Sequence, residues 1–165
     1  MLEQYLNRII EADCFELMKK FPANSIDMVL TSPPYDNLRN YKGFNFSFEL
    51  IAKELFRIIK QGGVLVWVVN DATVQGSETG TSFKQALYFK EIGFNLHDTM
   101  IFKKRNPIPQ IYRQRYSNEF EYMFVFSRDY VKTHNPIMIP CLHAGLELKG
   151  TTYKNYSKAD QKREK

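Results

Sequence analysis

Thr31-Ser32-Pro33-Pro34-Tyr35 follows directly on the run Ile26-Asp27-Met28-Val29-Leu30. Two adjacent prolines lack the N–H that a ladder needs, so a strand over 26–30 must stop at a rigid, polar corner. That corner carries one hydroxyl and one aromatic ring. With φ fixed at both prolines, backbone carbonyls point outward as acceptors without competing local donors. In-plane acceptors beside a flat ring suit an amino group lying in the plane of a base: the acceptors take its hydrogens while the ring stacks on its face. A Pro-Pro turn that merely ends a strand is the plainer reading of the same residues. In an open α/β sheet, ligands bind outside the carboxyl ends of the strands, which is where this corner falls.

A corner of this kind needs a sheet to hold it, and the first hundred residues alternate strand and helix signals. Leu6–Glu11 is a short mixed run, and Phe15, Leu17, Met18 and Phe21 have helical spacing within 14–21. Pro22-Ala23-Asn24-Ser25 breaks it. Asn37–Asn45 is polar with Gly43 and reads as a loop. Ser47 is a plausible N-cap for a helix to about Lys60, with Leu50, Ile51, Leu55, Ile58 and Ile59 on a 3.6-residue repeat and Gly62-Gly63 as its stop. Val64–Val69 is continuously apolar, as expected of a parallel strand buried on both faces. It ends in Asn70-Asp71. Gly76–Thr81 lacks the lysine of a phosphate loop and reads as a flexible connection. Ser82–Glu91 is a further helix, closed by Gly93. Leu96–Lys103 and Glu121–Ser127 read as strands pairing antiparallel at one side of the sheet. Beyond about Lys132 the periodicity weakens, so the reading divides the chain into 1–132 and a poorly defined 133–165.

Charge is unevenly placed. Residues 1–100 hold 10 Lys/Arg against 12 Asp/Glu, whereas residues 101–165 hold 13 against 6. A near-neutral scaffold joined to a basic part suggests a polyanion-binding surface. Its densest piece is Lys103, Lys104, Arg105, Arg113 and Arg115, interleaved with Tyr112 and Tyr116 and stiffened by Pro107-Ile108-Pro109. Such a loop suits phosphate neutralisation and base stacking, although a solvated surface loop has the same composition. Cys14 and Cys141 are too few for a disulfide framework and fit a reducing, cytoplasmic compartment. His97, His134 and His143 have no metal-ligand spacing, and no window approaches a membrane span.

In their order, these motifs resemble the amino-group DNA methyltransferases that use S-adenosylmethionine, and within them the permuted β group, whose D/S/N-P-P-Y/F motif lies near the N-terminus. Glu11-Ala12-Asp13-Cys14 resembles the acidic motif before the catalytic strand, and Asp27–Tyr35 the catalytic motif with its strand. Phe56–Val69 resembles the helix–Gly-Gly–strand unit that follows. Ile101–Pro107 and Asn118–Tyr122 resemble two later motifs lining the base pocket. The resemblance implies an α/β, Rossmann-like methyltransferase fold with a mostly parallel sheet, incomplete within these residues. It implies that Ser32 Oγ and the Pro33 carbonyl accept the amino hydrogens, that Pro34 holds Tyr35, and that Tyr35 stacks on a base rotated out of duplex DNA. Asp13, Cys14 and Thr31 would face the cofactor, with a helix N-cap as the equally good reading of Asp13. Glu119 would line the base pocket, unless it is an ordinary surface glutamate.

The family's D-P-F-x-G-x-G cofactor turn does not occur in the 165 residues. In the permuted order it would follow them, so the chain reads as the target-base half of an enzyme. Two functions are therefore expected from the sequence. One is site-specific methyl transfer from S-adenosylmethionine to an exocyclic amino nitrogen in restriction–modification, with Ser32 leaning toward cytosine N4 over adenine N6. The other is an inactive DNA-binding fragment, or half of a split enzyme completed by a partner chain or a second copy. RNA-directed methylation is a weaker third reading.

Overall fold

A computed structural model describes residues 2–34, 46–107, 109, 115–135 and 137. Tyr35, the 37–45 loop, Tyr112, Arg113, Cys141, His143 and the final charged stretch lie outside them. The chain divides into Met1–His134 and Asn135–Lys165, and every element below belongs to the first unit.

Helix α1 (Cys14–Met18) starts on Asp13, whose side chain accepts from the Glu16 N–H. Its far end is held by Arg57, which donates to the Met18 and Phe21 carbonyls at 2.8 Å. That arginine belongs to α2 (Phe48–Ile58), whose buried stripe is Ile51, Ala52, Leu55 and Ile58. Strands β1 (Ile26–Thr31) and β2 (Ile59–Val69) pair in parallel, with Thr31 opposite Trp67. A short hairpin of β3 (Thr73–Val74) and β4 (Ser77–Glu78) follows, then α3 (Thr81–Glu91). Strands β5 (Asn95–Lys103) and β6 (Phe120–Ser127) pair antiparallel, and β6 runs antiparallel to β2. The sheet order is β1-β2-β6-β5.

The α/β, Rossmann-like expectation holds, and so does the antiparallel pair at one side. Within the described residues, however, the sheet is mixed: β1–β2 is its parallel pair and its other two ladders are antiparallel. Three local expectations change. The helix does not reach Lys60, and Gly62-Gly63 is not what stops it. It ends at Ile58, because the β-branched Ile59 already belongs to the sheet, and the glycines sit inside β2. There the pairing passes from Ile26–Ile59 to Met28–Val64, so Lys60–Gly63 bulge opposite Asp27. Gly62 has φ +79°, and a Cβ on Gly63 would fall 2.8 Å from the Asp27 carbonyl oxygen. Leu6–Glu11 carries no strand or helix; a single turn at Glu3–Tyr5 precedes it. The supposed flexible stretch at 76–81 is half hairpin, turning at Gln75 (φ 48°) and Gly76 (φ 82°).

The core lies on one face of the sheet. Leu65, Trp67 and Val69 of β2 and Phe124 and Phe126 of β6 point under α2 and α3, where Phe89 and Phe94 complete it. The opposite face shows Val64, Val66 and Val68 only half-buried, with Met28 56% and Leu30 64% exposed beside them. Burial of Val64–Val69 on both faces is therefore not what the described residues show. No described strand pairs with the second edge of β1. No described helix is long and apolar enough to cross a membrane.

Candidate functional site at the carboxyl ends of the strands

The parallel register sets the site. Because Thr31 lies opposite Trp67, the Ser32-Pro33-Pro34 corner leaves β1 level with the last residues of β2 and with Asn70 beyond them. Thr31 is half-buried, Ser32 is exposed, Pro33 is buried and Pro34 is half-buried. The hydroxyl thus faces solvent from a backbone that is anchored on both sides. β6 begins at this same end, since it runs antiparallel to β2 with Tyr122 opposite Val69.

Beside the corner, Asn70 ties β2 to β6. Its amide nitrogen donates to Asn118 Oδ1 at 3.0 Å and to the Phe120 carbonyl at 3.1 Å, and its oxygen accepts from the Asp71 N–H. Asn70, Thr73, Glu78, Arg115–Asn118, Phe120 and Tyr122 enclose a depression open to solvent. One wall is aromatic: Phe120 and Phe83 each meet the Tyr122 ring edge-on at 5.3 and 5.0 Å. Burial, then the charges of Glu78 and Asp71, push the Tyr122 phenol above its usual pKa. It therefore stays protonated through neutral pH and can donate a hydrogen bond there. An aromatic wall with amide, carboxylate and phenol groups around it is the chemistry that suits a planar polar ring.

Asp71 holds this end together from beneath. It is 8% exposed, and its carboxylate accepts from the Ser82 N–H at 2.9 Å, the Ser82 hydroxyl at 2.5 Å and the Thr79 hydroxyl at 3.3 Å. The N-cap of α3 is Gly80, whose absent side chain caps nothing, so Asp71 supplies the cap from the preceding strand end. Asp71→Ala is expected to cost about 2 kcal/mol, the loss of a cap together with the acceptor of the buried Ser82 hydroxyl. Urea denaturation checks this, and Asp71→Asn, which keeps an acceptor, should lose less.

The sequence-derived site residues divide. Ser32, Pro33, Pro34 and Thr31 sit at the carboxyl end of β1, as expected of them. Asp13 caps α1 through Glu16 at 3.0 Å and is exposed, as is the free thiol of Cys14. Lys103 and Arg105 are exposed. Lys104 is paired with Glu121 at 3.2 Å and donates to Asn118 at 3.3 Å. Arg115 pairs with Glu78 at 2.9 Å. Glu119 is exposed and outside the depression, offering its backbone carbonyl to the Lys104 N–H. Asn70, Asp71, Glu78 and Tyr122 were not legible as site residues, although a polar pair closing an apolar strand is a usable signal for the first two. A larger hollow at the opposite end of the strands, lined by Asp27, Lys60, Arg128 and Lys132, is remote from all of these.

A family model described as DNA methylase, N6_N4_Mtase, matches residues 26–165. The orphan methyltransferase M.BamHII of Bacillus amyloliquefaciens is 60% identical over 111 residues, covering 67% of this chain and 42% of that protein. The chain thus spans about two fifths of that relative's length. Among solved structures, PvuII DNA methyltransferase (cytosine-N4-specific) aligns with TM-score 0.61 at 23% identity, over 73% of this chain and 49% of that one. The putative DNA modification methylase TTHA0409 of Thermus thermophilus, complexed with S-adenosyl-L-methionine, aligns with TM-score 0.56 at 26% identity, over 76% and 54%.

Proposed function

Because the chain belongs to the DNA methylase family, we propose that it carries the target-base side of an S-adenosylmethionine-dependent amino methyltransferase of the permuted β group, acting on duplex DNA in restriction–modification within the cytoplasm. The single observation behind this reading is the exposed Ser32 on a buried Pro33 at the carboxyl end of β1, the end of the sheet that also carries an aromatic-walled depression.

An exocyclic amino nitrogen is a poor nucleophile because its lone pair is delocalised into the ring. Ser32 Oγ and the Pro33 carbonyl accept its two hydrogens, which favours a pyramidal nitrogen with its lone pair directed out of the ring. When bound, S-adenosylmethionine supplies a sulfonium methyl: the nitrogen–carbon bond forms as the carbon–sulfur bond breaks, leaving a neutral thioether. The nitrogen then releases one proton through its acceptor to solvent. Positioning and stabilisation of the growing positive charge supply the rate. Toward that cofactor the chain offers the half-buried Thr31 hydroxyl and the exposed Asp13 and Cys14. Asp13 uses one oxygen for its cap, so the other is what fits an amino group. Tyr35 is assigned to stacking, and the exposed Lys103 and Arg105 to phosphate. Serine at the first motif position supports cytosine N4 over adenine N6.

The test is digestion of unmethylated genomic DNA after incubation with the protein and labelled S-adenosylmethionine, followed by nucleoside mass spectrometry. N4-methylcytosine is the expected product. N6-methyladenine would overturn the base assignment, and cofactor binding with no DNA product would overturn the substrate. A second reading, in which a partner segment must first complete the site, is favoured by the exposed Met28 and Leu30 and by the edge of β1 with which no described strand pairs. Calorimetric titration with the cofactor separates the two: binding by the chain alone supports the first.

A further inference from the structure

Arginine in a basic loop is ordinarily assigned to phosphate, yet the Arg115 guanidinium is already held. It donates to Glu78 Oε1 at 2.9 Å and to the Gly76 carbonyl at 3.0 Å, both on the β3–β4 hairpin. The hairpin is itself fixed at its base. The Thr79 N–H donates to the Ala72 carbonyl at 3.0 Å, and the Thr79 hydroxyl to Asp71. Three residues after Arg115, Asn118 accepts from both Asn70 and Lys104. The segment 115–118 is therefore tied down at both ends. Between the ties, Tyr116 is 99% exposed. A free loop would let such a ring fold back onto apolar surface; here the side chains on either side, Arg115 and Asn118, are committed elsewhere. The ring is held in water next to the depression that Tyr116 helps to line.

We propose that Arg115 is a positioning residue rather than a phosphate ligand: its clamp on Glu78 and Gly76, together with Asn118, presents Tyr116 to the bases of bound DNA. This rests on the reading that this end of the sheet faces DNA. An exposed aromatic on a preordered backbone stacks on a base with little ordering cost, and base–aromatic stacking is sequence-tolerant. The clamp also explains why Glu78, an acid on a surface meant for a polyanion, is tolerated: its charge is offset by Arg115.

Two measurements on the full chain decide it. Amide hydrogen exchange without DNA reads the clamp directly. Arg115→Ala, which loses both the Glu78 and the Gly76 contacts, should speed exchange at 115–118 by about threefold, the scale of a surface ion pair, and Glu78→Ala by less. The double variant should add little to Arg115→Ala, and the swapped pair Glu78→Arg with Arg115→Glu should restore protection in part, since glutamate cannot donate to the Gly76 carbonyl. Duplex binding across a salt series reads the presentation. Tyr116→Ala should weaken binding by about tenfold, and Tyr116→Phe should bind as the parent does. Either clamp variant should weaken binding without changing the salt slope.

The opposite pattern overturns the proposal: Arg115→Ala alone lowering the salt slope by about one, with Glu78→Ala tightening binding. If the parent chain binds no duplex, the presentation to DNA falls together with the reading it rests on. The exchange data still judge the clamp in that case, and additive effects of the two alanine variants would overturn it.

Discussion

Trp67→Ala is expected to cost about 3–5 kcal/mol of stability. Trp67 is 1% exposed near the carboxyl end of β2, and its ring meets Phe89 at 5.0 Å and Phe48 at 5.9 Å. Its indole N–H donates to Gln85 Oε1 at 2.8 Å, which ties the strand to α3. Truncation opens a cavity beneath both helices and strands a buried glutamine oxygen as well. Against a total stability of roughly 5–15 kcal/mol for an ordinary domain, and with one sheet face half-open here, that loss should leave most molecules unfolded at 37 °C. Circular dichroism in a urea series reads it, since the variant removes the chain's single tryptophan and with it the fluorescence signal. Trp67→Phe separates the two contributions. It keeps most of the ring volume and loses the hydrogen bond, so its cost should be about 1–3 kcal/mol. If Trp67→Ala unfolds at the parent's urea midpoint, the assignment of the core to the α2–α3 face is wrong.

Much of this architecture was legible because it is local. Ile26–Thr31, Asn95–Lys103 and Phe120–Ser127 are runs whose residue types favour strands and whose ends carry prolines, glycines or polar clusters. Where the reading went astray, the deciding partner lay elsewhere in the chain. Val64–Val69 is apolar at every position, so its pattern hides which face is buried; only α2 and α3 on one side reveal it. Gly62-Gly63 looks like a helix stop, yet the helix yields earlier to the β-branched Ile59, and Gly63 serves the close approach to Asp27 while Gly62 takes the positive φ of the bulge. The β3–β4 hairpin has only two-residue strands around Gln75-Gly76, too short to give a periodicity.

The candidate site shows the same division. Ser32-Pro33-Pro34 could be read from the strand it ends, because the prolines impose their geometry without help. Asp71 could be read as a polar strand end, but not as the cap of a helix ten residues further on. The Arg115–Glu78 contact spans 37 residues and leaves no local trace. Composition placed a basic loop at 103–115; only tertiary structure shows that two of its cations, Lys104 and Arg115, already have acidic partners.

Ser32→Ala is expected to lower the methyl-transfer rate by about a hundredfold, the cost of one preorganised polar group acting on developing charge. Affinity for S-adenosylmethionine should stay unchanged. The two acceptors assigned to the amino group differ in kind. The Pro33 carbonyl belongs to the backbone and survives any side-chain change, so a residual rate should remain, whereas Ser32 Oγ can be deleted cleanly. Because Ser32 is exposed and β1 ends before it, the substitution removes no buried contact, and the unfolding midpoint should not move. Tyr35→Ala should act at a different step. Losing a stacking surface costs about 1–3 kcal/mol per base, which weakens capture of the rotated base and so raises KM for DNA, while Tyr35→Phe should match the parent. Single-turnover kinetics with saturating cofactor separate the two effects: Ser32→Ala lowers the maximal rate, and Tyr35→Ala shifts the DNA concentration at which it is reached. Neither Ser32 nor a backbone carbonyl titrates near neutrality, and the Tyr122 phenol, protonated there in any case, is moved further from neutrality by burial and by the charges of Glu78 and Asp71. The rate should therefore be level across neutral pH, and a steep rise with pH would mean that a base on this chain removes the amino proton before attack, which the two-acceptor account excludes.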